Sequence, residues 1–194
     1  MSEFSATPEK LQYEAIPAKN TAYSAHQYKE KYTESIADPS KFWSEASNKY
    51  LKWFTPYQRV MDGDFESGDI NWFQAGTLNA CYNCIDKHLP EKADQAAIIW
   101  ERDEKGTAET ITYSVLSKEV CKIANVMKSK GVKKGDVVTI YMPMIPQTAM
   151  VMLACARIGA IHSVVFAGFS MDALRDRING CDSKASGDKC HGTN

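Results

Sequence analysis

No stretch of this chain approaches the roughly 20 consecutive apolar residues that a membrane-spanning helix requires. The opening, Met1-Ser2-Glu3-Phe4-Ser5-Ala6-Thr7-Pro8-Glu9-Lys10, has neither a basic flank nor an apolar core, so it does not read as a secretory leader. Neither sign of charge dominates. Lys and Arg number 23 against 24 Asp and Glu, a formal net charge of −1, which leaves no basic footprint for a nucleic-acid backbone. No G-x-G-x-x-G turn is present, and His26, His88, His162 and His191 form no H-E-x-x-H zinc helix. There is no internal repeat and no low-complexity tract. These absences argue against dinucleotide-binding, zinc-protease and nucleic-acid-binding readings. They leave the expectation of a globular cytoplasmic protein that binds no membrane.

The six cysteines are Cys81, Cys84, Cys121, Cys155, Cys181 and Cys190. Cys84, Cys121 and Cys155 fall on apolar faces of expected helices, which fits free thiols in a reducing compartment better than a disulfide framework. With 194 residues, 44% of them hydrophobic, the chain can bury roughly 70% of the surface its unfolded state exposes.

The pattern along the chain predicts a flexible lead-in over residues 1–22 and a helical region from 23 to 90. An α/β segment follows from 91 to 184, and a polar tail from 185 to 194. Asp38-Pro39 supplies an N-cap and a proline at the first helical position, opening a helix whose Phe42, Trp43, Ala46, Tyr50 and Trp53 recur at helical spacing as a core-facing stripe. Residues 53–73 read as an irregular wrap with short strands. Thr77 is expected to cap a helix running to Leu89 that Pro90 ends. Ala96–Glu101 and Thr110–Tyr113 form a hairpin about Asp103-Glu104-Lys105-Gly106. Ser114 is expected to cap a helix with Leu116, Val120, Ile123, Ala124 and Met127 inward, closed by Gly131.

Val137–Met142 then reads as a buried strand, and Pro143 and Pro146 punctuate the turn after it. Met152–Ala160 is an apolar helix, Val164–Phe166 a second buried strand, and Ser170–Ile178 another helix. Strand, helix, strand and helix with short connections predict an open parallel sheet, apolar on both faces and covered by helices. The fold class is α/β.

Complete catalytic constellations are absent. Cys81, Cys84 and His88 lie at i, i+3 and i+7, but a structural zinc site takes four ligands, so buried helix-face thiols are the simpler reading. Gly63–Gly68 has the glycine spacing of a phosphate loop, yet Asp69 stands where lysine belongs. Gly168-Phe169-Ser170-Met171-Asp172 lacks the final glycine of a nucleophile elbow, and Ser170 as a helix cap explains it better. No metal ligand and no catalytic residue is assigned. The small-molecule candidate is the loop Phe166-Ala167-Gly168-Phe169, because ligands of open α/β sheets bind beyond the carboxyl ends of strands. A tight turn without a ligand is the alternative.

Several blocks carry a resemblance beyond pattern. Trp53-Phe54-Thr55-Pro56-Tyr57, Asn83–Leu89, Ala97–Glu101, Lys134–Val138, Met152–Ser163 and Phe166–Ser170, in this order, resemble the AMP-forming acetyl-CoA synthetases of the adenylate-forming acyl-CoA ligase superfamily. The resemblance covers about residues 23–184. It implies a reaction in which acetate attacks the α-phosphate of ATP, with Mg²⁺, and coenzyme A then displaces AMP from acetyl-adenylate. Propionate in place of acetate is the alternative substrate. The resemblance implies acetate, ATP and coenzyme A as small-molecule partners. It places Phe166, Ala167 and Gly168 near the nucleotide of coenzyme A.

The family's Ser/Thr/Gly-Lys phosphate loop, adenine loop, ribose aspartate and catalytic lysine match nothing in this chain. The expectation is therefore an N-terminal fragment that is inactive alone and binds no cofactor tightly. Its tail, Ala185–Asn194, diverges from the family and is too poor in β-branched residues to make the strand that relatives place there. A non-catalytic interaction module, self-associating or pairing with a full-length ligase through the open sheet edge, is the rival reading.

Overall fold

The structure, a computed structural model, describes residues 23–183. The expected lead-in and the polar tail lie outside the described residues.

The first helix, α1 (Ala25–Ala37), is opened by a reciprocal cap. Ser24 Oγ accepts from the Gln27 N–H at 3.2 Å, and Gln27 Oε1 accepts from the Ser24 N–H at 2.8 Å. The second, α2 (Pro39–Tyr50), begins as predicted, with Asp38 Oδ1 accepting from the Lys41 N–H at 2.9 Å. Its stripe is not a core stripe. Trp43 and Tyr50 are exposed, Phe42 and Ala46 half-buried, and Ser47 is the buried residue of the helix. Helical spacing gathers residues on one face but says nothing of what covers that face.

Trp53 lies past the end of α2 and packs in an aromatic cluster with Tyr57 and Phe73, ring centroids 5.1–5.3 Å apart. Gly76 makes room for it, since a Cβ there would lie 2.8 Å from the Trp53 ring. The expected short strands are β1 (Arg59–Asp64) and β2 (Asp69–Gln74), an antiparallel hairpin. The glycine spacing scanned as a phosphate loop is this hairpin's turn. Gly63 and Gly68 both take positive φ, and Asp64 Oδ1 accepts from the Ser67 N–H at 2.7 Å.

The single helix expected from Thr77 to Leu89 is instead three pieces. Thr77 bridges to Thr55, and Asn79 caps α3 (Ala80–Cys84). Ile85 leaves helical geometry at φ −123°, a 3₁₀ turn follows over Asp86–His88, and Pro90 lies in the first turn of α4 (Leu89–Lys92). Proline thus opens a short helix where the sequence predicts an end, because a first-turn N–H has no intrahelical partner to lose. Cys81 and Ile85 are fully buried, whereas Cys84, expected on an apolar face, is exposed at the end of α3.

The predicted hairpin is present as β3 (Ala96–Trp100) and β4 (Glu109–Thr112). Thr112, not Ser114, caps α5 (Tyr113–Ser129), its Oγ1 accepting from the Val115 N–H at 3.3 Å. Gly131, at φ +85°, follows the helix end as predicted.

The parallel unit is β5 (Val137–Met142), α6 (Pro146–Ile158) and β6 (Ile161–Phe166), paired from Val137↔Ile161 to Met142↔Phe166. Then comes α7 (Met171–Gly180), capped by Ser170. The core joins Val120 and Ala124 of α5, Val138 of β5, Ala154 and Cys155 of α6, and Cys81 and Ile85. Two-sided burial of the strands is not observed. Among the described residues the parallel sheet has two strands, and β6 leaves Ile161, Val164 and Phe166 exposed.

Candidate functional site

The carboxyl ends of β5 and β6 lie together because the two strands are parallel and in register. The loop from Phe166 to Ser170 is closed tightly, the Phe169 N–H donating to the Phe166 carbonyl at 3.0 Å. Tyr141 of β5 crosses to it. Its hydroxyl lies 2.8 Å from the Ala167 carbonyl oxygen and 3.0 Å from that of Phe169, so one side chain fixes the loop at two points.

Phe166 and Phe169 meet edge to face with centroids 6.0 Å apart, and the Arg177 guanidinium of α7 sits 4.7 Å over the Phe169 ring. Phe166 remains 64% exposed and Phe169 40%, so both residues reach solvent. Gly168 lies close against the Phe166 ring. A Cβ there would lie 2.7 Å from Phe166 Cε1, and any side chain would push that ring aside. The structure therefore brings Phe166, Ala167 and Gly168 to one loop at the strand ends.

Tyr141 and Arg177 are the site residues that sequence pattern did not single out. The available signal for Tyr141 was a phenol near the end of a mostly apolar strand. Nothing in one-dimensional spacing places Arg177 over a ring eight residues earlier. Ser170 serves as a cap, its Oγ accepting from the Ala173 N–H at 3.3 Å, which sets aside the nucleophile-elbow reading.

The Cys81-Cys84-His88 set is not one helical face. Cys81 is buried, with its thiol pushed up to about 11 by burial, Cys84 at the end of α3 is exposed, and His88 lies past the break at Ile85. The His88 ring rests on Tyr113 at 5.5 Å, and burial followed by the Lys87 and Lys92 charges lowers its pKa. Among the described residues no cluster of three or more His, Cys, Asp or Glu is placed to hold a metal.

At the end of α6 that leads into β6, a polar group ties three elements together. Arg157 at the end of α6 makes two hydrogen bonds to Asp86, at 3.1 and 2.8 Å. Asn79 Nδ2 donates to the Ala156 and Arg157 carbonyls at 2.9 and 3.1 Å. No helix among the described residues is long and apolar enough to cross a membrane.

The profile of the acetyl-coenzyme A synthetase N-terminus matches residues 28–84, and that of the AMP-binding enzyme family matches residues 85–186. An acetyl-coenzyme A synthetase of Alcanivorax borkumensis is 55% identical over 166 residues, covering 84% of this chain and 26% of the relative. One from Sodalis glossinidius is 50% identical over 173 residues, covering 88% of this chain and 26% of the relative. Acetyl-coenzyme A synthetase 2 of Pseudomonas aeruginosa is 52% identical, covering 81% of this chain and 24% of the relative. The chain thus spans about a quarter of the length of the curated relatives it matches. With a parallel βαβ unit in place and the family profile covering more than half its residues, the chain belongs to the AMP-binding enzyme family, preceded by a segment of the acetyl-coenzyme A synthetase N-terminal type.

Proposed function

We propose that this chain is the N-terminal portion of an acetate–CoA ligase that forms acetyl-CoA, AMP and pyrophosphate through acetyl-adenylate. The single observation that carries the reading is the pair of family matches in order along one chain, with relatives whose printed names are acetyl-coenzyme A synthetase. Those names support acetate over propionate. The loop Phe166-Ala167-Gly168 is proposed to face the nucleotide of coenzyme A. Two aromatic faces beside a stacked guanidinium suit a planar base, and a glycine beside them admits close approach. The proposed division is 1–22 lead-in, 23–90 N-terminal region, 91–184 start of the α/β domain and 185–194 tail. A cytoplasmic location belongs to the same proposal.

The 194-residue chain is proposed to be inactive by itself. Adenylation needs cationic and N–H groups arranged around a triphosphate, and no such motif occurs in its sequence. The test is pyrophosphate release with acetate, ATP, Mg²⁺ and coenzyme A. Background rates are expected from the bare chain, and turnover at enzyme-like rates would refute its inactivity.

A second reading, association with itself or with a full-length ligase, is favoured by one observation. The β5 edge opposite β6 meets only the Ser183 side chain among the described residues.

A further inference from the structure

The C-terminal ends of α5 and α6 converge at the amino ends of β5 and β6, opposite the Phe166 loop at the carboxyl ends. The segment that joins α5 to β5 is tied there to the end of α6. The Gly135 N–H donates to the Gly159 carbonyl at 2.9 Å. Gly159 also lets the Lys134 stem lie against it, since a Cβ there would stand 2.9 Å from Lys134 Cγ. Between these elements lies a cleft of about 510 Å³, a size at which proteins hold small ligands. Its walls carry Asn125 and Lys128 of α5, Lys133 and Lys134 of the joining segment, and Arg157 of α6. Four cations and no carboxylate are among the described residues that line it.

Cations near helix C-termini ordinarily satisfy the last carbonyls. Here many of those carbonyls are already occupied. That of Lys128 accepts from the Gly131 N–H at 3.0 Å, that of Met127 from Val132 at 3.1 Å, and that of Cys155 from Ala160 at 2.9 Å. Those of Ala156 and Arg157 accept from Asn79 Nδ2. The nearby acids are committed as well. Asp86 holds Arg157, and Asp136 Oδ2 accepts from the Lys133 backbone N–H at 2.8 Å. None of the ion pairs among the described residues uses Lys128, Lys133 or Lys134. Like charges gathered around one concavity focus a positive potential into it, and a compact anion relieves their repulsion.

We infer that this cleft binds a small phosphate-type anion carrying at least two negative charges. Lys128, Lys133 and Lys134 supply charge-assisted hydrogen bonds to its oxygens, and Arg157, already turned to Asp86, adds to the field. The inference goes beyond the ligase reading and does not depend on it.

The test titrates the 194-residue chain with inorganic pyrophosphate at low salt and follows backbone amide resonances, with sodium chloride at matched ionic strength as the control. Saturable shifts are expected at Lys128, Gly131, Lys133 and Lys134 with pyrophosphate alone. Lys128→Gln combined with Lys133→Gln is expected to weaken binding about tenfold or more, the scale of losing two charge-assisted hydrogen bonds. Lys128→Arg combined with Lys133→Arg keeps the charge and should keep the binding. Lys105→Gln combined with Lys118→Gln removes the same charge outside the cleft and should change the affinity by less than about twofold. All four lysines are exposed, so these variants should fold as the parent does. Shifts that fail to saturate, that centre on other residues, or that chloride reproduces would overturn the inference. Equal losses from the cleft and control variants would overturn it too, since net charge alone would then explain the binding.

Discussion

Replacing Asn79 by alanine removes two ties made by one side chain. Its Oδ1 accepts from the Tyr82 N–H at 3.0 Å and caps α3, while its Nδ2 donates to the last carbonyls of α6 at 2.9 and 3.1 Å. Loss of an N-cap costs about 1 kcal/mol. Loss of a partly buried hydrogen bond to helix-end carbonyls costs roughly 1 kcal/mol more. Asn79→Ala should therefore lose about 2 kcal/mol. Asn79→Ser keeps a capping hydroxyl but cannot reach α6, so it should lose about half as much. Asn79→Asp keeps the cap yet sets a carboxylate against the negative end of α6, and should fall between the two or below. Urea unfolding followed by circular dichroism reads the difference. With m near 2 kcal/mol/M for a chain of this size, the midpoint should drop by about 1 M for alanine and about 0.5 M for serine. Equal losses for serine and alanine would show that the cap contributes nothing. A loss under about 0.5 kcal/mol for alanine would refute both ties.

Asp86→Asn and Arg157→Met should each destabilise by about 1–3 kcal/mol, because each leaves a partly buried charge without its partner. The double variant should cost less than the sum, as a double-mutant cycle in urea would show. Burial raises the Cys81 thiol from 9.0 to about 11. Its folded-state pKa lies above its unfolded value, so the associated stability is full below pH 9 and is lost as pH climbs from 9 through about 11. A melting temperature that falls less steeply over that window in Cys81→Ala than in the parent is expected. Tyr141→Phe removes the hydroxyl that holds the Ala167 and Phe169 carbonyls and should speed amide exchange at Phe169 about fivefold, with circular dichroism unchanged.

The parallel unit was legible because its signals are local and agree with one another. The β-branched run Val137–Ile140, the prolines after it and the apolar run Met152–Ala160 point to the same element order, although α6 itself begins at Pro146, which was read as part of the turn, and ends before Gly159. Thr77, Ser114 and Pro90 misled for a shared reason. A residue type able to cap or end a helix occurs near many helix ends, and only three-dimensional hydrogen bonding chooses among neighbours, here Asn79 and Thr112. The stripe of α2 failed because amphipathic spacing shows a face and not its cover.

By itself, then, the sequence determined the α/β class and the order of most elements, since period, β-branching and glycine act over a few residues. Tertiary structure alone decided that Tyr141 pins the loop after β6, that Arg177 stacks on Phe169, and that Arg157 pairs with Asp86, 71 residues away. Such pairings depend on where two elements pack, a relation that no local spacing encodes.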